Sequence, residues 1–295
     1  MISGVLVVDK PSEMTSHDVV NVVRRLARTR RVGHAGTLDP LATGVLVVLV
    51  GPATRLSRFA MRGDKRYRSV VRMGEITDTY DADGEITERR TVTVDRAAIE
   101  NALTAFMGPI EQIPPMYAAI KVKGRKLYEL ARQGKEIRRE PRVVTIHAID
   151  IVDWQPPDLT LDVVCSPGTY IRSLAHDLGQ QLSCGGHIRE LRRLVSGPFA
   201  IVQARPLAEL EELYAVGGLA EALLPPQTTL RGMPTAIVTP EQERALRYGQ
   251  EIDIQASNAV ESIQAHDQQG NLIAVLTRVS DAQYRPTLVL PPSDG

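Results

Sequence analysis

The stretch RVGHAGTLDPLATGVLVVLVG, residues 31–51, decides how this chain folds. Preceded by Arg30, it runs from Arg31 into a loop punctuated by Gly33 and Gly36, sets one acidic residue, Asp39, before Pro40, and ends in an unbroken apolar run. Residues 45–50 are too few and too β-branched for a comfortable helix, which predicts a buried strand. Proline at 40 disfavours the helical region for Asp39 and holds it extended. The two glycines permit tight turning or the close approach of another backbone. A carboxylate presented this way can act as a nucleophile or a base. Taken alone, an L-D-P in a loop is more commonly a turn former, since Asx turns satisfy the local backbone.

Outward from this stretch the chain alternates between strand and helix signals. GVLVV (4–8) reads as a buried strand. Thr15 and Asp18 have capping-box spacing ahead of Val19, Val22, Val23 and Leu26, which share one helical face. Gly51-Pro52 opens a further helix with proline in its first turn. YRSVVRMG (67–74) alternates as a strand does, and Asp83-Gly84 marks a turn. Residues 95–107 form an amphipathic helix through Ile99, Ala102, Leu103 and Phe106. RVVTIHAIDIV and DLTLDVVCS are strands, residues 170–182 a helix, and Gly185-Gly186 a break. Without a strict βαβ alternation, this predicts an α+β domain on a mixed sheet over residues 1–232. LLPPQTTLRGMP (223–234) reads as a linker into residues 233–295, a small β-rich domain with one helix at 240–249 and turns at 267–271 and 280–281.

The net charge of zero conceals segregation. Residues 1–72 hold 13 Lys/Arg against 5 Asp/Glu, residues 121–142 hold 9 against 3, and residues 206–295 hold 5 against 12. Two basic runs in one domain predict a polyanionic partner for the N-terminal portion, where a single run is as readily a solvated helix face. Cys165 and Cys184 suggest neither a metal cluster nor a disulfide framework. The six histidines lack ligand spacing. GHAG is no Walker loop, and neither a dinucleotide fingerprint nor a G-x-S-x-G elbow occurs. No apolar run reaches membrane-spanning length and the N-terminus lacks a signal-peptide pattern, so a cytoplasmic protein is expected.

The wider constellation bears on Asp39. GHAGTLDPLATGVL resembles the signature of the TruB family, the bacterial tRNA pseudouridine-55 synthases. Further blocks match that family in its order: VDKP (8–11) with TSHDVV, KRYRSVVRMGEITDTYDADGEI (65–86), IPPMYAAIKVKGRKLYELARQGKEI (113–137), CSPGTYIRSLAHDLG (165–179) and LRRLVSGPF (191–199). The resemblance covers roughly residues 4–200. It implies a pseudouridine-synthase-like mixed sheet flanked by helices, with a PUA-like C-terminal domain. The implied reaction isomerises uridine 55 of the tRNA T-loop, with no cofactor and no metal.

The same resemblance makes Asp39, Tyr67 and Arg172 the catalytic residues, the arginine keeping the carboxylate ionised and the tyrosine stacking on the flipped base. It assigns substrate binding to Lys10, to His34 entering the RNA loop, to Asp81 placing the base, and to Tyr170 and Leu191 in the pocket wall. Lys121, Lys123, Arg125 and Lys126 belong to a basic insertion, about 121–142, that closes over the T-arm. The implied partner is the tRNA T-arm, with a monomeric enzyme needing no protein partner and no membrane. The alternatives are a guide-RNA-dependent catalytic subunit, a non-enzymatic RNA-binding module, and a glycoside hydrolase pairing Asp39 with Asp81.

Overall fold

The computed structural model describes residues 2–117, 137–255 and 260–292, and the backbone alone of 121–122 and 125–126. The first part of the chain forms β1 (Gly4–Lys10), α1 (Ser16–Leu26), β2 (Val32–Ala35), β3 (Thr43–Val50), α2 (Ser57–Ala60) and β4 (Lys65–Met73). A small hairpin, β5 (Glu75–Thr77) and β6 (Ile86–Arg89), precedes α3 (Arg96–Leu103) and β7 (Gly108–Gln112). Next come β8 (Lys121–Val122), β9 (Arg125–Lys126), β10 (Arg142–Gln155), β11 (Asp158–Cys165), α4 (Ile171–Gln181) and β12 (Gly186–Ser196). After β13 (Phe199–Ala200), β14 (Arg205–Pro206) and α5 (Leu207–Ala215), the last segment supplies β15 (Thr235–Ile237), α6 (Pro240–Arg247), β16 (Ile252–Asp253), β17 (Ser262–His266), β18 (Leu272–Arg278) and β19 (Gln283–Val289).

The central sheet runs β14-β1-β3-β12-β4-β11-β10-β7, with β2 beside β3 and β13 beside β12. It is mixed: β1/β14 and β3/β12 are parallel, the other pairs antiparallel. The apolar run that ends the opening stretch is β3. Leu46, Val48 and Val50 enter the core shared with α1 and α4, while Val45, Val47 and Leu49 pack beside Phe199 on the other face. A strand covered on both faces has no position for a polar residue, hence the unbroken pattern. β4 is covered on one face only and alternates accordingly: Tyr67, Ser69, Val71 and Met73 are buried, and Arg66, Arg68 and Arg72 point outward. The expected cap of α1 is present. Thr15 Oγ1 accepts from the Asp18 N–H at 3.1 Å, and Asp18 Oδ2 accepts from the Thr15 N–H at 2.9 Å, an arrangement typically worth about 1 kcal/mol. The helix expected at Gly51-Pro52 begins as a 3-10 turn, Gly51–Leu56, before the single turn of α2.

The C-terminal β-rich domain is a five-stranded sheet ordered β15-β17-β18-β19-β16, packed under α6 with Val238, Leu246, Ile263, Leu276 and Tyr284 at its centre. The reading of residues 223–234 as a linker is corrected. Leu224 exchanges both backbone hydrogen bonds with Val5, at 2.9 and 2.8 Å, so the segment extends the pairing of β1. Leu230 is buried in a cluster with Leu56, Phe59, Leu272, Val275 and Leu290, which joins the two sheets. The prolines mark a path whose leucines are anchored, and the buried Leu230 contributes roughly 1.5–3 kcal/mol. Lys121 pairs with Lys126 and Val122 with Arg125. The side chains of Lys121, Arg125 and Lys126, all of Lys123, and the insertion from there to residue 136 lie outside the described residues.

Candidate active site

Asp39 stands on the loop between β2 and β3, and side chains from three other elements hold several of that loop's backbone groups. Arg193 donates from Nη2 to the Gly36 carbonyl at 3.0 Å, from Nη1 to that of Thr37 at 3.4 Å and from Nε to that of Val45 at 2.7 Å. Ser16 Oγ accepts from the Leu38 N–H at 2.8 Å and donates to the Leu38 carbonyl at 3.0 Å. The Asp39 carbonyl accepts from the Ala42 N–H at 3.1 Å, closing a turn with proline at its second position. Pro40 presents its carbonyl to Lys10 Nζ at 3.1 Å and to the Glu13 N–H at 2.9 Å. Asp39 is therefore a turn former and a presented carboxylate at once.

Arg172, in the first turn of α4, brings the remaining elements together. Its Nε lies 3.1 Å from Asp39 Oδ2 and its Nη1 2.9 Å from Asp81 Oδ2. Nη1 also donates to the Thr79 carbonyl and Nη2 to that of Tyr117, at 3.2 and 2.9 Å. The two carboxylates differ in access: the side chain of Asp39 is 34% exposed, those of Asp81 and Arg172 5% each. Burial among protein atoms pushes the Asp39 carboxyl above its usual range. Arg172 opposes that shift, Asp81 and Asp83 add to it, and Lys10 counters them more weakly. Of the two carboxylates that meet Arg172, Asp39 is the approachable one, its charge held by an arginine that is itself anchored.

Tyr67 faces this centre from β4, in register with Arg193 on β12. It is 9% exposed; burial raises the pKa of its hydroxyl, while the charge of Arg193 and a hydrogen bond from it work the other way. Leu191, opposite Ser69, and Tyr170, at the N-cap of α4, complete the wall. Gln112 fixes Tyr170, accepting from its N–H at 2.7 Å and donating to its carbonyl at 2.9 Å. His34 sits on β2 opposite Val48. Its Nδ1 is buried without a hydrogen-bond partner among the described residues, and burial, then Arg193 and His17, lower its pKa.

The structure brings Arg172 against Asp39, sets Tyr67 and Tyr170 near them, and gives Lys10 and Asp81 internal partners. Lys10 is fully buried and donates to the carbonyls of Pro11, Met14 and Pro40, so it holds the loop and has no proton left for RNA. Its pKa is lowered to about 8, chiefly by burial. Asp81 is 3% exposed and is engaged by Arg172, by Thr79 Oγ1 at 2.6 Å and by the Asp83 N–H at 3.2 Å. It anchors Arg172. Its sequestration removes Asp81 as the open second carboxylate that glycoside hydrolysis would use. Sequence reasoning missed Arg193 and Ser16. The signal for Arg193 was strand alternation in LRRLVSGPF, which puts Arg193 on the same face as Leu191.

Three comparisons bear on this arrangement. The model of the TruB family pseudouridylate synthase N-terminal domain matches residues 24–171, and that of the tRNA pseudouridylate synthase B C-terminal domain matches 172–231. The junction of the two falls at the first turn of α4, inside the unit closed by the continuous sheet. The chain is 43% identical over 288 residues to tRNA pseudouridine synthase B of Pseudomonas aeruginosa (strain UCBPP-PA14), covering 97% of this chain and 95% of that one. It is 46% identical over 259 residues to tRNA pseudouridine synthase B of Dechloromonas aromatica (strain RCB), covering 88% and 86%. A chain in the crystal structure of a Cbf5-Nop10-Gar1 complex shares the fold with a TM-score of 0.77, at 24% identity, over 98% of this chain and 85% of that one.

Proposed function

The chain belongs to the TruB family of pseudouridylate synthases and forms pseudouridine in tRNA, and from that premise we propose that it isomerises uridine 55 of the T-loop with Asp39 as the essential carboxylate. The observation that carries the reading is Asp39, the more exposed of the two carboxylates that Arg172 clamps, with Tyr67 close enough to feel its charge. A uridine inside a folded loop must leave its stack before Asp39 can reach it, so the target base is flipped. The N1–C1′ bond then breaks, the uracil turns, C5–C1′ forms, the C5 proton leaves and N1 ends protonated. Substrate and product are isomers, so no co-reactant is required. Arg172 keeps Asp39 ionised against burial. The Tyr67 ring stacks on the base and its hydroxyl serves the proton transfer at C5. His34 enters the space that the uridine leaves.

In this reading residues 1–232 are the catalytic unit and 233–295 a PUA-like domain with a minor RNA-contact role. The basic insertion, Lys121, Lys123, Arg125 and Lys126 included, grips T-arm phosphates with salt-dependent affinity. The enzyme acts as a cytoplasmic monomer without a protein partner. The test is incubation with an unmodified tRNA transcript, followed by mapping of pseudouridine by nucleotide. Conversion at position 55 is expected, and Asp39→Asn should abolish it while tRNA affinity stays within about tenfold, roughly 1.4 kcal/mol. Product at another position refutes the target, and product from Asp39→Asn refutes the aspartate.

A further inference from the structure

We propose that Arg193 is a positioning residue for the isomerisation: one buried guanidinium fixes the backbone on which Asp39 stands, from a strand position in register with Tyr67. The inference rests on the reading of Asp39 as the essential carboxylate. Arg193 is 1% exposed. Among the described residues it has no carboxylate within ion-pair distance, whereas buried arginines ordinarily keep one. Its donors go to carbonyls instead, and the choice of carbonyls is specific. Gly36 and Thr37 lie just before Asp39 and Val45 lies beyond the turn, so the fork bridges the two ends of the loop. The main chain of Arg193 grips the same loop, since it is in parallel register with Gly44. Gly44 has φ +95°, and a side chain there would run into the Arg193 carbonyl.

On its other edge β12 aligns Arg193 with Tyr67. In the sheet, β3, which follows the Asp39 loop, and β4, which carries Tyr67, are joined through β12. Arg193 therefore grips the Asp39 loop from the strand that sets it beside Tyr67. Lys65 supplies the contrast. It too is buried and bonded to three carbonyls, those of Met61, Arg62 and Gly63, but these close the end of α2 and carry no reactive group. Displacement of a reacting group by about 1 Å can lower a rate 10²-fold, so a residue that never meets substrate can govern turnover.

The experiment measures single-turnover pseudouridine formation at saturating unmodified tRNA transcript, tRNA affinity and thermal stability for Arg193→Lys, Arg193→Met, Asp39→Asn and Leu210→Ala. The last removes a buried core side chain of α5, remote from the loop, and calibrates rate against lost stability. Arg193→Met should turn over at least about 10²-fold more slowly with affinity within threefold of the parent. Arg193→Lys keeps the charge without the planar fork and should recover only part of that loss. Arg193→Lys at the parental rate overturns the proposal, as does an Arg193→Met rate no lower than that of Leu210→Ala at matched stability. Should the methionine variant fail to fold, the lysine variant decides alone. Turnover by Asp39→Asn would instead refute the reading of Asp39, which keeps the two failures separate.

Discussion

β4 and β12 carry arginines on both faces, and the faces treat them differently. On the outer face, Arg66 and Arg68 share Asp162 at 2.7 and 2.8 Å, Arg192 meets Asp9 at 2.7 Å, and Arg189 and Arg72 meet Asp158. These arginines are between a third and a half exposed. On the inner face, Arg193 is buried against carbonyls, and Arg172 reaches in from α4 to two carboxylates. Water reaches the arginines of the outer pairs, and the buried Asp162 keeps a second arginine when one is lost, so the energy of each pair is small. The inner groups have no such replacement. What they hold is geometry, and removing one partner strands a charge. The same residue type thus solubilises one face and aligns the chemistry on the other.

The strongest way to break this comparison is Asp81→Ala. It removes the inner partner of Arg172 and should lower stability by about 3–5 kcal/mol in urea unfolding. It should also lower turnover on the order of 10²-fold, because Arg172 loses the anchor that aims it at Asp39. A stability change under 1 kcal/mol would place the Arg172–Asp81 pair with the outer ones.

A smaller effect of opposite sign is expected for Asp39→Asn. Burial raises the folded pKa of Asp39 above its unfolded value. The stability associated with the protonated form is fully present below the ordinary carboxylate range and is lost as pH rises through the folded pKa. The amide never ionises, so Asp39→Asn should be more stable than the parent near neutrality, with the two converging at acid pH. Thermal melts between pH 3 and pH 8 give the sign, and a parent more stable than the variant at pH 7 contradicts it. By the same shift, the acid limb of the parent's rate profile should lie above the usual aspartate range. The smallest effect should come from Arg68→Ala on the outer face. Arg66 still meets Asp162 there, so unfolding should change by less than about 1 kcal/mol. A loss approaching that of Asp81→Ala would erase the distinction between the faces.

The parts of the fold written locally were readable. β3 and β4 follow from the pattern of apolar residues, α1 from its capping box, and the turn at Asp39 from the proline after it. Asp39, Tyr67 and Arg172 were picked out through the family resemblance, and the structure brings them together. What was not readable depends on partners distant in sequence. Asp81 looks like a turn residue because its arginine is 91 positions away. Lys10 looks like an RNA contact until three carbonyls are seen to surround it. Leu224 and Leu230 sit among prolines that mimic a linker, and only the strand and cluster they join reveal them as anchored. In the Arg192-Arg193 pair, alternation says that one points inward, but not what receives it.

The position of β12 has a consequence for how the molecule is made. This strand, Gly186–Ser196, lies between β3 and β4, which were synthesised well over a hundred residues earlier. At translation speeds of roughly 5–20 residues per second, the facing edges of β3 and β4 wait on the order of ten seconds for the strand that joins them. During that interval the nascent chain exposes open strand edges, a state prone to mispairing and a natural client of ribosome-associated chaperones. Arg172, Leu191 and Arg193 emerge within the same late window. The newborn enzyme therefore acquires its centre in one closing step, and no earlier fragment emerging from the ribosome holds Asp39 and Tyr67 in register.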